Sequence, residues 1–152
     1  MEIRPVTVKD TDQIAALFVE QFEIQAGFNP HIMQSGSYSN EYIESAITNE
    51  NIGIFAAELD GKIVGFAAVG EKKSMDFNFM VPRRYARLME IIVTKEHRGK
   101  GIATKLMDVV RQWSLDRELD HIELSVYSNN SAVDFYIKHG YVETEKTMMC
   151  IL

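Results

Sequence analysis

The chain has 152 residues, a formal net charge of −6, 46% hydrophobic and 25% charged residues, and one cysteine. That length reads as one domain, 1–152, able to bury roughly 70% of its unfolded surface, with the composition of an ordinary soluble globular protein. The acidic balance argues against nonspecific nucleic-acid binding, lone Cys150 excludes an intrachain disulfide, and no apolar run reaches the roughly 18 residues of a membrane span.

A cysteine-poor chain fits a reducing compartment. With no basic segment ahead of an apolar one at the N-terminus, a cytoplasmic location is expected. Glu2 to Val6 alternates as a short strand. Thr7 and Asp10 then resemble a capping box, and Ile14, Leu17, Phe18 and Phe22 predict a helix through about Glu23. Residues 26–38, rich in Gly, Asn, Pro and Ser, read as a loop, and Asn40 to Thr48 as a short helix. Two apolar runs, Ile52 to Leu59 and Lys62 to Gly70, flank Asp60-Gly61, which is a strong hairpin signal. Residues 71–84 read as a charged loop, Tyr85 to Thr94 as a strand, and Gly101 to about Leu115 as a helix. Ile122, Leu124 and Val126 alternate as a further strand, and two last strands are predicted near Tyr141–Glu143 and Thr147–Leu152. Strands interleaved with helices predict a mixed α/β sheet.

The densest signal lies where Ile91-Ile92-Val93 breaks into Thr94-Lys95-Glu96-His97-Arg98-Gly99-Lys100-Gly101 and opens into a helix at Ile102-Ala103-Thr104. A strand feeding a helix N-terminus through glycines aims several unpaired backbone N–H groups, and roughly half a positive charge, at one anion. Arg98 and Lys100 add cationic charge, so the segment reads as a phosphate cradle. It is neither of two common cradles. Gly99-Lys100-Gly101 lacks the Gly-Lys-Ser/Thr end of the Walker loop, and Thr104 stands where the dinucleotide fingerprint needs its last glycine.

A second segment follows. Asn129, Asn130 and Ser131 can start and cap a helix; Ala132, Phe135, Tyr136 and His139 form its stripe, and Gly140 ends it.

Arg98-x-x-Gly101-x-Ala103 resembles the acetyl-CoA pyrophosphate loop of the GNAT-type N-acetyltransferase superfamily. The pattern Asn129-x-x-Ala132-x-x-x-Tyr136-x-x-x-Gly140-Tyr141 is similar to that superfamily's second cofactor motif, in the same order and at the usual separation. The resemblance covers about residues 1–145 and implies a largely antiparallel mixed sheet. That sheet would have six to seven strands, splayed between the fourth and fifth and flanked by about four helices.

The resemblance also implies an enzyme that moves an acetyl group from acetyl-CoA to a primary amine by direct attack. Residues 98–104 would hold the pyrophosphate, the backbone of Ile91, Ile92 and Val93 would face the pantetheine amides, and Asn129 would bond the pantetheine arm. Tyr136 would protonate the departing sulfur. A base is also needed, because an amine of pKa near 10.4 is almost wholly protonated at neutral pH. Glu90, inside the fourth strand, is the candidate. Simple alternation puts it opposite Arg87, Met89, Ile91 and Val93, whereas family bases often take the other parity; a bulge would restore the orientation.

Other readings stay open at this stage: a non-catalytic acyl-CoA-binding regulatory module, or an enzyme acting on a protein lysine or N-terminal amine. The acceptor is expected near Phe22, Phe28, His31, Tyr38 and Tyr42, as a small-molecule or peptide amine, and a homodimer is compatible with the family. His31, His97, His121 and His139 lack metal-site spacing, and neither a metal, a nucleic acid nor a membrane is expected as a partner.

Overall fold

The computed structural model describes residues 1–152. Its centre is a five-stranded sheet in the order β1-β2-β3-β4-β5. Strands β1 (Glu2–Pro5), β2 (Ile52–Leu59), β3 (Lys62–Lys73) and β4 (Arg84–Val93) pair antiparallel, and β5 (Ile122–Glu123) joins β4 in parallel. The β2–β3 turn has positive φ at both Asp60 (51°) and Gly61 (76°), the twist that suits a two-residue hairpin loop.

Alternation along the strands gives the sheet two apolar faces. Helices α1 (Thr11–Phe28) and α2 (Asn40–Ile47) cover one, where Ile14, Phe18 and Ile43 pack on Phe66, Ala68 and Ile92. Helix α3 (Ile102–Asp116) covers the other, where Leu106 and Val110 pack on Ala67, Val69 and Leu88. Helix α4 (Ala132–Lys138) comes after β5, and its Phe135 and Tyr136 pack against the α3 side.

Three expectations need correction. The sheet has five strands, not six to seven. The segments near Tyr141–Glu143 and Thr147–Leu152 form no strand, because a strand exists only as a pair and these residues pair with no other strand; Tyr141 N–H bonds only back to Tyr136 O in α4. Helix α1 runs to Phe28 rather than about Glu23. Ile24 extends its apolar stripe into the core, Gly27 is tolerated near the end, and the backbone leaves the helix at Asn29, just before Pro30.

The start of α1 is tied to the sheet by a charged knot. Asp10 accepts the Thr7 backbone N–H at 2.8 Å, closing the expected capping box. It also accepts both Arg4 terminal nitrogens, at 2.8 and 2.9 Å, while Arg4 Nε donates to Glu58 at 2.7 Å. One guanidinium thereby joins β1, the α1 entry and β2. The Arg4 hydrogen bond, with the Thr7 bonds, holds the buried Asp10 carboxyl well below the usual range despite desolvation. A depressed carboxylate stabilises the fold above its unfolded pKa, and that contribution drains away as pH falls below about 4. Asp10→Asn is expected to cost about 2 kcal/mol at neutral pH and to flatten the acid limb of stability. Urea unfolding of both proteins at neutral and acidic pH measures this, and parallel pH dependences would refute it.

Candidate active site

The site begins at an irregularity in β4. Val69 faces Leu88 across the β3–β4 ladder while the next residue, Ala68, faces Glu90, so Met89 is an extra residue bulged from β4. A bulge bends and twists its strand. Strand β5 pairs with β4 only at Ala86–Ile122 and Arg87–Glu123 and ends before the bulge. Leu124 and Val126, expected to extend that strand, make no ladder with it. From Leu88 onward β4 is bonded to β3 on one edge and open on the other, so the backbone of Ile91, Ile92 and Val93 borders a splay in the sheet.

The bulge also decides where Glu90 points. Without it, Glu90 would share a face with Ala86 and Leu88, which pack on the α3 side. With it, Glu90 meets α1: Gln21 Nε2 and Gln25 Nε2 both donate to its Oε2, at 3.0 and 3.4 Å. Burial pushes the Glu90 carboxyl up, and the two amides pull it only partway back. Beside it lies an aromatic group from α1 and the α2 entry. Tyr38 meets Phe18 edge-on at 4.9 Å and Phe22 at 5.4 Å, and stacks on Tyr42 at 4.5 Å. Burial, and then the Glu90 charge, raise the Tyr38 phenol.

At the end of β4 the chain turns through 95–101 into α3. Gly99 (φ 73°) and Gly101 (φ 76°) are left-handed, which is why glycine stands there, and a Cβ at either would project into open space. The backbone N–H groups of residues 99–104 have no protein partner; the first to bond is Lys105, to Gly101 O at 3.2 Å. They border a cleft of about 260 Å³ lined by Val93, Arg98, Gly99, Gly101, Thr104 and Phe135, among others. Left-handed glycines, free donors and open volume at a helix N-terminus fit a diphosphate.

The basic side chains are placed differently from the sequence expectation. Arg98 Nε donates to Val93 O at 2.8 Å and its Nη2 pairs with Glu20 at 3.3 Å. Lys100 Nζ donates to Glu96 O at 3.0 Å. Both cations brace the turn, and the main-chain N–H groups are left as its unbonded donors.

Across the splay, α4 carries Tyr136. Gly140 (φ 86°) closes α4 in a Schellman motif: Gly140 N–H donates to Ile137 O at 3.0 Å and Tyr141 N–H to Tyr136 O at 3.1 Å. The motif folds Tyr141 onto Tyr136, ring centroids 5.8 Å apart, and Phe135 adds an edge contact at 5.4 Å. Burial first, then Tyr141 and the Glu90 charge, push the Tyr136 phenol up to about 12, so it is protonated at neutral pH. Its hydroxyl makes no hydrogen bond to the protein and keeps access to solvent, since every buried polar side-chain atom has a partner.

Asn129 precedes α4 and donates its amide to Phe28 O at 3.3 Å, while Asn130 Oδ1 accepts the Ala132 N–H at 2.9 Å and caps the turn. His31 is exposed and makes no side-chain bond or ring contact to the aromatic group expected around it. Gln21 and Gln25 were missed. Their spacing of four puts both amides on one helix face, a signal readable only once α1 is known to pass Glu23.

Against this geometry, comparisons with known proteins are consistent. The acetyltransferase (GNAT) family model matches residues 12–141. An uncharacterized N-acetyltransferase of Methanocaldococcus jannaschii is 30% identical over 147 residues, covering 94% of this chain and 61% of its own length. Streptothricin acetyltransferase of Escherichia coli is 28% identical over 116 residues, covering 76% of this chain and 62% of its own. The chain thus spans about three fifths of the length of these two relatives. A crystal structure of a mutant BH1408 protein from Bacillus halodurans shares the fold with a TM-score of 0.94, at 23% identity, over 100% of this chain and 99% of that one. The matched segment takes in α1, the bulged strand, the glycine turn and α4 together, and the chain belongs to the acetyltransferase (GNAT) family.

Proposed function

We propose that residues 1–152 form one N-acetyltransferase domain that uses acetyl-CoA to acetylate a primary amine on a small molecule, by direct attack within a ternary complex. The observation that carries this reading is the row of unpartnered N–H groups at 99–104, set at the end of the open edge of β4. Those donors would hold the pyrophosphate, the free edge at Ile91–Val93 the pantetheine amides, and Asn129 the end of that arm. Bound acetyl-CoA supplies an acyl group already activated as a thioester.

The chain's own groups handle protons and alignment. Glu90 takes one proton from the incoming ammonium, freeing the nitrogen lone pair to form the N–C bond as the C–S bond breaks. Tyr136 gives its phenolic proton to the departing sulfur and is restored by the second proton released from nitrogen; Glu90 returns its own to solvent. A carboxylate raised by burial is a better base at neutral pH than an exposed one. The small-molecule acceptor is supported by the streptothricin acetyltransferase relative, and the aromatic group of Phe18, Phe22, Tyr38 and Tyr42, with its two tyrosines exposed, offers an apolar surface beside Glu90.

Three measurements test this reading. Calorimetry with acetyl-CoA is expected to give a saturable complex that Gly101→Ala weakens up to about thirtyfold, since a left-handed non-glycine residue costs about 1–2 kcal/mol. No saturable complex would end the proposal. Turnover against a panel of amines and peptides follows. Tyr136→Phe should lower the single-turnover chemical rate by about 10²-fold, the low end for a general acid because thiolate leaves readily, without loss of acetyl-CoA binding. Glu90→Gln should lower it comparably. An unchanged rate removes the residue in question from the chemistry, tight binding without turnover makes the domain a sensor, and turnover of peptides alone overturns the small-molecule acceptor.

We further propose a homodimer, because Met148 and Leu152 stand almost fully in solvent and Ile151 largely so, and a second copy would cover them. Sedimentation equilibrium should give twice the chain mass, and monomer at every concentration would exclude it.

A further inference from the structure

We infer that Gln21 and Gln25 act as a paired amide clamp that fixes which oxygen of Glu90 exchanges the proton, a positioning role that rests on the reading of Glu90 as the base. Both Nε2 groups donate to Oε2, at 3.0 and 3.4 Å, and Oε1 accepts no hydrogen bond from the protein. Oε1 is therefore the oxygen left to receive a proton. Once Oε1 is protonated, Oε2 becomes the carbonyl oxygen and still accepts both amides. The clamp thus survives both states of the cycle, and the carboxyl need not rotate between them.

The choice of donors matters as much as their placement. Two neutral amides hold a carboxylate in place without a countercharge that would make it strongly acidic. The same chain shows the alternative, since Asp10, gripped by the Arg4 guanidinium, is driven well down. No cation pairs with Glu90. The elements packed around it offer Gln21 and Gln25 from α1, Ala68 from β3, Tyr38 from the α2 entry and Tyr136 from α4. Tyr38 and Tyr136 are the titratable members, and both phenols are raised, so they stay protonated through the range in which Glu90 titrates. The helix supplies the geometry, because residues four apart stand one above the other on one face.

The test reads the carboxyl directly and needs no acceptor. The ¹³Cδ resonance of Glu90, identified by its loss in E90Q, is titrated in wild type and in Q21M/Q25M, which keeps side-chain length and removes both donors. Loss of two neutral donors to the charged form is expected to raise the Glu90 pKa by about one unit. In turnover with the amine that the acceptor panel identifies, the acid limb of kcat/KM moves up by the same amount. Q21M/Q25M should also lower kcat on the alkaline plateau, where Glu90 is already ionised. Acetyl-CoA binding stays unchanged and reports an intact fold; should the double variant unfold, the single variants Q21M and Q25M carry the test with smaller shifts. An unmoved Glu90 resonance, or a full alkaline kcat, overturns the clamp. E90Q with wild-type turnover instead overturns Glu90 as base, a separate failure visible even when the resonance moves as expected.

Discussion

The bulge at Met89 is the constraint on which the rest of the site depends. One extra residue in β4 does two things at once. It comes where the pairing with β5 ends, so the far half of β4 keeps an open backbone edge. It also reverses the alternation, so Glu90 and Ile92 face α1 while Leu88 faces α3. A regular strand could provide an unpaired edge or a carboxylate on the α1 face, but the apolar demands of both cores would then conflict. Gly65 shows how tightly this part of the sheet is drawn: a Cβ there would come within 2.7 Å of Ile92 O.

Three separate pieces of local chemistry converge on the open edge. Left-handed glycines turn the chain into α3 and leave its first N–H groups free. A Schellman turn at Gly140 packs Tyr141 against Tyr136 and partly buries its ring. The long reach of α1 brings Phe28 to Asn129 and to Tyr127, the latter with ring centroids 6.2 Å apart. Each is set by short-range backbone preference, but their convergence is a property of the sheet, whose fifth strand stops pairing with the fourth after Arg87.

That division explains what was legible in the sequence. The glycine turn and the α4 motif could be read because positive φ is written in residue type: Gly99, Gly101 and Gly140 announce their conformations locally. The Asp60-Gly61 hairpin could be read for the same reason. The bulge has no such signature, since Met89 looks like any strand residue and its displacement is decided by the register of β3. The last turn of α1 was hidden behind Gly27, and with it the partners of Glu90. The C-terminal apolar run from Thr147 was real as a pattern, yet a pattern forms a strand only where a second strand is present to bond it. Arg98 and Lys100 were legible as charge but not as bracing, because a carbonyl five or four residues back is as good a target as a phosphate.

Two carboxylates in this chain show how environment assigns a role to one functional group. Asp10 is buried and Glu90 partly so, and each accepts more than one hydrogen bond. Asp10 is matched to a guanidinium that itself bonds Glu58, so it stays ionised at neutral pH and serves as a rivet between sheet and helix. Glu90 has only neutral amides and nearby phenols, so desolvation dominates and its charge is conditional. Exchanging those environments would exchange the behaviours: a cation beside Glu90 would lock it ionised, while amides around Asp10 would leave a weakened, pH-sensitive joint. The sheet keeps the two apart, with β3 standing between the β2 end of the charged knot and the bulged β4, a separation that favours independent contributions to stability.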